Sequence, residues 1–251
     1  MIGLVCHFLV ETSTGKVVNS ITCKSLQFGR YKSQKYSREF VKATYVDNVR
    51  TFSDNLPVIL RAGFGHFRVS SAMLPLADVV DRELWDNDDV KRHLRRAGEF
   101  ALKHDMRITV HPGQYTVLSS DSSAVVSNSV RELELHGWIF DEMGLPRSPK
   151  YAINVHGGKR GRSSKLVSTI ETLPDSVRSR LTLENDESCY SVVDLLEVHK
   201  STGVPVCWDS HHHTFNDGFL TLDEAFEASC ATWPNGVKPL QHLSNSKPGA
   251  I

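Results

Sequence analysis

Residues 88–111, with the sequence DDVKRHLRRAGEFALKHDMRITVH, contain the pattern that decides the fold class. Val90, Leu94, Ala97 and Ala101 recur at spacings of four, three and four residues, so they lie on one face of a helix that opens with acidic residues. The run Arg107–His111 that follows is short and β-branched at its centre, with Ile108, Thr109 and Val110, which is typical of a buried strand. A helix that leads into such a strand is the repeating unit of α/β folds.

The same alternation extends along the chain in both directions. Further helical patterns cover Phe40–Leu60 and the stripe from Val126 to Phe140, whereas the polar segment 8–39 indicates a long loop with a short hairpin. Alternating helices and apolar strands predict a parallel sheet. The strand candidates are Ile2–His7, His66–Ser70, Arg107–His111, Tyr151–His156, Leu181–Glu184, Val204–Asp209 and Lys238–His242.

This number of strand candidates favours a (β/α) barrel over an open sheet. We therefore predict an α/β fold of the TIM type, a single (β/α) barrel domain over residues 1–251, with the eighth strand missing or truncated. A doubly wound sheet is the alternative, but no GxGxxG pattern follows the first strand candidate to indicate a dinucleotide site.

The composition narrows the functional classes. The 29 Lys and Arg residues balance the 29 Asp and Glu residues, so nucleic-acid binding would require a local basic cluster. No apolar run reaches about eighteen residues, and the first residues lack the features of a signal peptide, so we expect neither a membrane span nor secretion. Five scattered cysteines predict reduced thiols and a cytoplasmic protein.

Residues of the metal-ligand type end one strand candidate after another. His111, His156, Glu184, Asp209 and His242 stand at such ends, and the carboxyl ends of barrel strands meet at one rim. Imidazole and carboxylate groups together suit Zn, Mn or Fe. A single histidine at a strand end is usually just a hydrogen-bonded polar group, but a buried cluster of unpaired polar groups is costly. The set therefore predicts a divalent-metal site.

The remaining histidines fall in a consecutive triple and on helical patterns. His211–His213 cannot all point inward because consecutive side chains diverge, so we expect one principal ligand among them. His93, His104, His136 and His199 fall on helical patterns and are expected at the surface.

Two loops provide candidate substrate contacts. Gln114 and Tyr115 lie on a Pro-Gly turn, where an amide and a ring can stack on or wedge between bases. A ring that caps the barrel is the alternative for Tyr115. Lys159, Arg160 and Arg162 lie on a glycine-rich loop, where they can attract phosphates. A solvated loop without a partner is the alternative there.

The segment Glu184-Asn-Asp-Glu187 places three carboxylates around one amide. Such a run cannot be buried throughout without cations or hydrogen-bond donors. Glu184 is the natural bridging ligand between two ions, and Asn185 and Asp186 would orient the ligands from behind.

Together these stretches resemble the UV damage endonuclease family. His-Pro-Gly-Gln-Tyr and Leu-Glu-Asn-Asp-Glu are specific signals when they occur together, and the resemblance runs in the family's order nearly to the chain end. The matching stretches are Phe67-Arg-Val-Ser-Ser71 with Pro75, Ile108-Thr-Val-His-Pro-Gly-Gln-Tyr115, Asn154-Val-His-Gly-Gly158, Leu183-Glu-Asn-Asp-Glu187, Val206-Cys-Trp-Asp-Ser-His-His-His213 and His242-Leu-Ser244.

The resemblance implies a barrel related to apurinic endonucleases, which hydrolyses the phosphodiester on the 5′ side of a UV photoproduct such as a pyrimidine dimer in double-stranded DNA. It implies two to three divalent ions, manganese first with zinc or magnesium as alternatives, and we expect no obligate protein partner. Gln114 and Tyr115 match the pair that probes the damaged strand. We assign catalysis to His111, His156, Glu184 and Asp209. The implied metal ligands are His111, His156, Glu184, Asp209, His212 and His242.

The sequence departs from the family pattern in two places. The family can use a modified lysine two residues before the last histidine, where this chain has Leu240. Lys238 lies one pleat repeat further back and is a poor substitute. The chain also ends at Ile251, before the segment in which the family supplies another histidine and a carboxylate. Two alternative functions remain. A divalent-metal sugar isomerase or epimerase on the same barrel would place the same residue types at its strand ends. A lesion-binding protein that no longer cleaves would account for the missing eighth strand.

Overall fold

The computed structural model describes residues 2–11 and 14–243. The chain forms two compact units, of which the first comprises residues 1–111 and 138–146 and the second residues 112–137 and 147–251. Parallel strands alternate with helices in both, which confirms the predicted α/β class. The expectation of a single domain over residues 1–251 stays a prediction. Ser244, which belongs to one of the matching stretches, lies outside the described residues.

The first unit contains three parallel strands. Strand β4 (His66–Val69) pairs with β1 (Gly3–Val5) on one side and with β5 (Arg107–Val110) on the other. The hairpin predicted in the first long loop is present as β2 (Leu9–Glu11) and β3 (Val17–Asn19). The helices of this unit are α1 (Phe28–Lys32), α2 (Arg38–Arg61) and α3 (Asp88–Lys103).

Helix α3 buries the face that the sequence predicted. Val90, Leu94, Ala97 and Ala101 are fully buried, and α3 packs along α2. Gly98 lies on the same face, and a Cβ there would lie 1.6 Å from the carbonyl oxygen of Met143. Burial of apolar side chains stabilises such a helix far more than intrinsic propensity does.

The described part of the second unit, up to residue 243, contains four parallel strands in chain order. They are β6 (Ile153–His156), β7 (Leu181–Glu184), β8 (Val206–Asp209) and β9 (Gln241–His242). The helices are α4 (Ser123–Glu142), which continues into the first unit, α5 (Ser163–Glu171), α6 (Asp175–Arg178), α7 (Val192–Thr202), α8 (Ser210–His213) and α9 (Leu222–Ala231).

Alternate side chains of β8 face opposite sides of the sheet. Trp208 packs against Val192 and Ala225, which belong to helices α7 and α9. Cys207 packs on the other side, in a cluster with Ala152, Trp233 and Leu240. This alternation is the expected period of two along a strand, and it places Cys207 and Asp209 on the same inner face.

Most of the predicted strands are longer than the observed ones, and in two of them a proline accounts for the difference. The candidate Lys238–His242 is a strand only at Gln241–His242, and Lys238 is exposed before it. Pro239 explains the difference because it has no N–H to donate to a ladder. Pro205 has the same effect on the candidate Val204–Asp209, whose strand begins at Val206. No eighth parallel strand of the barrel type is found in residues 2–11 and 14–243, and no helix there is long and apolar enough to cross a bilayer.

Candidate metal centre and substrate-binding loops

The register of the second unit aligns the predicted ligands. His156 pairs with Glu184, Glu184 with Cys207, and Asp209 with His242. Because paired residues of a parallel ladder point to the same face, their side chains converge. Ligand atoms of Glu184, Asp209 and His212 lie within 4.8 Å of one another, as do those of Glu184, Cys207 and His242. We call Glu184, Asp209, His212 and His242 the carboxylate cluster.

Glu184 is held in a fixed orientation at the middle of this cluster. Its Oε2 accepts a hydrogen bond from Asn154 Nδ2, and Thr182 Oγ1 donates to Asn154 Oδ1 at 2.7 Å. Oε1 of Glu184 lies 2.9 Å from Nδ1 of His242 and 3.7 Å from Nδ1 of His212. The amide therefore anchors one oxygen and leaves the other among the imidazoles.

Asn154 was not predicted as a site residue. It is fully buried and stands two positions before His156 on the same strand face. A polar side chain inside an apolar strand, in phase with a predicted ligand, was the signal that could have identified it.

Asp209 and Asn185 fix each other at the ends of their strands. Asn185 Oδ1 accepts from the backbone N of Asp209 at 2.7 Å, and its Nδ2 donates to the Asp209 carbonyl at 3.1 Å. Asp209 Oδ1 caps helix α8 by accepting from the amides of His211 and His212 at 2.8 and 2.9 Å. These contacts fix the position of Asp209 at the end of β8.

The three consecutive histidines have different surroundings. His212 Nδ1 lies 2.9 Å from the carbonyl oxygen of Asn185, which can only accept, so this nitrogen donates and Nε2 keeps the lone pair in the neutral ring. His213 is buried with Nε2 3.1 Å from the Leu220 carbonyl, and His211 packs edge-on against Phe215. His212 is thus the member of the triple that lies among the carboxylates.

The remaining acidic residues after β7 serve other purposes. Asp186 accepts hydrogen bonds from the amides of Ser188 at 2.8 Å, Cys189 and Tyr190 at 3.2 Å, so its buried charge is satisfied by the loop. The side chain of Glu187 is 60% exposed, and its Oε2 lies 3.6 Å from Nε2 of His212. Glu184 is therefore the buried carboxylate of this segment in the cluster, and Glu187 reaches His212 from the exposed side.

The donor set fits a divalent cation. Glu184 and Asp209 are 2% and 4% exposed, and buried carboxylates are costly unless an opposite charge compensates them. Their oxygens lie beside imidazole nitrogens at separations that one ion can bridge after small adjustments. Carboxylate with imidazole is the combination that Mn, Zn and Fe accept in proteins.

His111 and the turn that follows it belong to different units. His111 directly follows β5 in the first unit, and its role as a ligand stays a prediction. Gln114 and Tyr115 lie in the second unit on an exposed turn, which the hydrogen bond from Thr116 N to the Gly113 carbonyl closes at 3.0 Å. Tyr115 is 84% exposed, which contradicts the alternative that its ring caps the barrel.

The basic loop, residues 157–165, already carries internal ion pairs. Arg162 Nε donates to Asp121 Oδ1 at 2.8 Å, and Lys159 Nζ pairs with Asp121 Oδ2. Hydrogen bonds from Arg162 and then Lys159 lower the pKa of Asp121 to about 2. Arg160 Nε donates to the carbonyl of Ser188 at 2.6 Å. Part of the loop's positive charge is therefore neutralised within the protein.

Close packing explains the glycine pair at the start of the basic loop. A Cβ on Gly157 would lie 2.5 Å from the Tyr190 ring, and one on Gly158 would lie 2.7 Å from Ser119 Oγ. The amide of Lys159 donates to Ser119 Oγ at 2.6 Å, so it is not offered to a phosphate. A cavity of about 350 Å³ adjoins the loop. Its lining includes Arg160, Ser163, Cys189, Tyr190 and Asn216.

Two exposed aromatic rings follow helix α8. Phe215 and Phe219 expose 64% and 101% of their surface, and Phe219 has a φ of 66°. Neither ring was predicted as a site residue, although the Asn-Asp-Gly turn between them indicates a loop that projects its flanking residues.

Comparison with known sequences gives one consistent result. The family described as UV-endonuclease UvdE matches residues 1–250. A UV DNA damage endonuclease from Nostoc sp. is 36% identical over 214 residues, which is 82% of this chain and 66%, just under two thirds, of that relative. A UV DNA damage endonuclease from Deinococcus radiodurans is 31% identical over 259 residues, 99% of this chain and 82% of the relative.

Comparison with solved structures agrees. The crystal structure of SacUVDE superposes with a TM-score of 0.85 and 28% identity, over 99% of this chain and 82% of that one. A D-psicose 3-epimerase matches with a TM-score of 0.53 and 14% identity, over 77% of this chain and 68% of that one, which shows the fold alone. The predicted TIM-type α/β fold is confirmed.

Proposed function

The chain belongs to the UV-endonuclease UvdE family, and on that premise we propose that it is a metal-dependent DNA repair endonuclease. Its substrate would be double-stranded DNA that carries UV photoproducts, and hydrolysis would occur on the 5′ side of the lesion. The observation that carries this proposal is the buried carboxylate cluster, in which Glu184 lies beside two imidazoles at the ends of adjacent parallel strands.

The chain's own residues would hold two to three divalent ions, with manganese the first candidate. Glu184, Asp209, His212 and His242 would bind them, His156 would complete the set from β6, and the resemblance adds His111 from β5. Bound divalent ions supply an activated water for in-line attack at the phosphorus and stabilise the leaving oxygen. Asn154 and Asn185 keep Glu184 and Asp209 in place, so that little reorganisation is needed when an ion binds.

The loops would bind the DNA. Lys159, Arg160 and Arg162 would contact backbone phosphates, which fixes the position of the duplex without reading its sequence. Gln114 and Tyr115 would occupy the gap that an extruded photoproduct leaves. A photoproduct pairs poorly, so its extrusion costs less than that of a normal base. The exposure of the Tyr115 ring supports this role.

The test compares two glutamates of the second unit. Glu184→Gln should reduce Mn²⁺-dependent nicking of UV-irradiated plasmid by at least about a hundredfold, because removing a metal ligand costs more than the roughly 10- to 100-fold typical of removing a residue that only orients a ligand. Glu197→Gln is the matched control, because Glu197 is 63% exposed on helix α7, where it pairs with Lys200, and the variant should keep most of the activity. Primer extension across the nick would then locate the cleaved bond relative to the lesion.

The outcomes separate the alternatives. Full nicking by Glu184→Gln would refute the metal mechanism. Tight binding of irradiated DNA without nicking under any divalent ion would instead indicate a lesion-binding protein that no longer cleaves. Turnover of a ketose, with no nicking of irradiated plasmid, would indicate the sugar epimerase class.

A further inference from the structure

Cys207 lies at the inner end of the carboxylate cluster and no role has been assigned to it so far. It is fully buried and is the in-register partner of Glu184 across the ladder of β7 and β8. It also stands two residues before Asp209, so both side chains face the same side of β8. Its Sγ lies within 4.8 Å of ligand atoms of both Glu184 and His242, and these two also lie within that distance of each other.

The surroundings of Cys207 differ on its two sides. Ala152, Trp233 and Leu240 pack against it and offer no ligand atoms for a metal from their side chains. On the other side stand the carboxylate of Glu184, whose Oε2 is anchored by Asn154, and the imidazole of His242, 2.9 Å from Oε1. The sulfur thus lies at the boundary between an apolar floor and a polar cluster.

The separations fit one ion. Zn–S bonds are about 2.3 Å and Zn–N or Zn–O bonds about 2.0–2.2 Å, so two ligand atoms of one tetrahedral zinc ion are about 3.4–3.6 Å apart. The outer limit of 4.8 Å for this group exceeds that separation by little more than about 1 Å. Rotations of the Cys207 and His242 side chains are sufficient to close such a difference.

We propose that Cys207, Glu184 and His242 form a mixed sulfur, nitrogen and oxygen site for a borderline-soft divalent cation, namely zinc. Thiolate is a soft ligand that favours zinc, whereas magnesium and manganese prefer oxygen ligands. On binding, the S–H bond of Cys207 breaks, its proton leaves to solvent, and a sulfur electron pair forms the bond to the ion, with no change in oxidation state. This inference rests on the proposed function, because it requires an ion at Glu184.

The consequence is a selective position within the proposed metal centre. An ion held by Glu184, Asp209 and His212 has only oxygen and nitrogen ligands, which suits manganese. An ion that also touches Cys207 has a thiolate, which raises its preference for zinc over manganese. The affinity order of divalent metals, with zinc well above manganese, acts in the same direction.

Cobalt is the probe that distinguishes these ligands, because a thiolate bound to Co²⁺ gives an intense charge-transfer band in the near ultraviolet. The full chain, stripped of metal with a chelator, is titrated with Co²⁺ alone. We expect the band in the wild type, its loss in Cys207→Ser and its retention in Cys189→Ser. Cys189 is the matched control, because it is a partly buried cysteine in the loop after β7. Added Zn²⁺ should abolish the band at a concentration at least about tenfold lower than Mn²⁺.

Each other result has a distinct meaning. Visible Co²⁺ bands in the wild type without the charge-transfer band overturn the role of Cys207 but leave the metal centre intact. A band that persists in Cys207→Ser also overturns it. No Co²⁺ binding at all overturns both this inference and the proposed metal dependence. Should Cys207→Ser fail to fold in a thermal melt, Cys207→Ala replaces it, and the wild-type spectrum alone still decides whether any thiolate binds the ion.

Discussion

The carboxylate cluster and the basic loop are both charged, but they differ in how the protein satisfies that charge. In the cluster, Glu184 and Asp209 are almost completely buried and are held by neutral amides. In the basic loop, the side chains of Lys159 and Arg162 are 52% and 47% exposed and share Asp121 as a counter-ion. A cation that enters the cluster meets charges in a poorly screened environment, whereas a phosphate at the loop must compete with water and with Asp121.

This difference implies a division of roles. The buried cluster should control whether the chemistry occurs at all, because few groups besides a cation can compensate it. The basic loop should control how tightly and how salt-dependently DNA binds.

The largest effect, a loss of metal affinity, is expected when Asn154, which holds Glu184 in place, is truncated. Asn154→Ala removes the amide that anchors Oε2, and loss of such a support commonly lowers metal affinity about 10- to 100-fold. Calorimetric titration of the metal-free chain with Zn²⁺ and with Mn²⁺ would measure this loss. A thermal melt without metal is the control for folding. An unchanged affinity in a folded variant would show that the orientation of Glu184 does not depend on Asn154.

A smaller effect is expected at the exposed turn. Tyr115→Ala should reduce the preference for irradiated over intact DNA by roughly tenfold, since stacking of one base on a ring contributes about 1–3 kcal/mol. Nicking of intact plasmid at high enzyme concentration should persist, because the carboxylate cluster is untouched. Competition between irradiated and intact duplexes measures the preference.

Phe219→Ala is the matched control for Tyr115→Ala. It removes a ring that is at least as exposed and belongs to the same unit. Equal losses of preference in the two variants would mean that exposed aromatic surface in general, and not the position of Tyr115, sets lesion preference.

A third prediction concerns the counter-ion of the basic loop. Asp121→Asn releases Lys159 and Arg162 for phosphates, so DNA affinity at low salt should rise several-fold. The slope of the logarithm of the binding constant against the logarithm of the salt concentration should steepen by up to about two, one for each released cation. Fluorescence anisotropy over a salt series would measure both. Asp175→Asn is the control, because it breaks another exposed pair, with Arg147, and neither residue belongs to the basic loop. The same slope in wild type and Asp121→Asn would mean that the loop does not contact DNA phosphates.

The sequence alone was sufficient to predict where the strands end and which residues form most of the carboxylate cluster. Leu181–Glu184 is observed with the predicted bounds, and Glu184, Asp209 and His242 stand at strand ends as predicted. These features are local, because an apolar run followed by a ligand-type residue fixes both the strand and the position of the side chain. Parallel pairing then brings the ends together without further information.

The features that were missed depend on tertiary packing. His136 was predicted at the surface, but it is buried, with Nε2 3.3 Å from Glu132 Oε1. The stripe from Val126 to Phe140 predicted the buried face of α4, since Leu133 and Phe140 are fully buried, but it did not identify polar Ser129, which is also buried and accepts from the Val117 amide at 2.8 Å. Cys207 resembles an ordinary core residue in the sequence, and only the register with Glu184 reveals its position.

The smallest effect is expected from the pH dependence of the ion pairs of Asp121. Its pKa is lowered from 3.8 to about 2 by hydrogen bonds from Arg162 and Lys159. A lowered pKa in the folded state means that the pairs stabilise the protein above about pH 4 and lose that contribution as the pH falls towards 2. Thermal melts of wild type and Asp121→Asn should therefore differ slightly near neutral pH and converge in acid.

Added salt should bring the two melting temperatures together near neutral pH as well, because all three side chains are about half exposed and ions screen such pairs. The buried cluster should not follow this pattern, since salt screens buried charges much less. A difference between wild type and Asp121→Asn that is independent of both pH and salt would mean that Asp121 supports the loop by packing. The contrast between buried carboxylates held by amides and imidazoles and an exposed carboxylate held by ion pairs would then no longer hold.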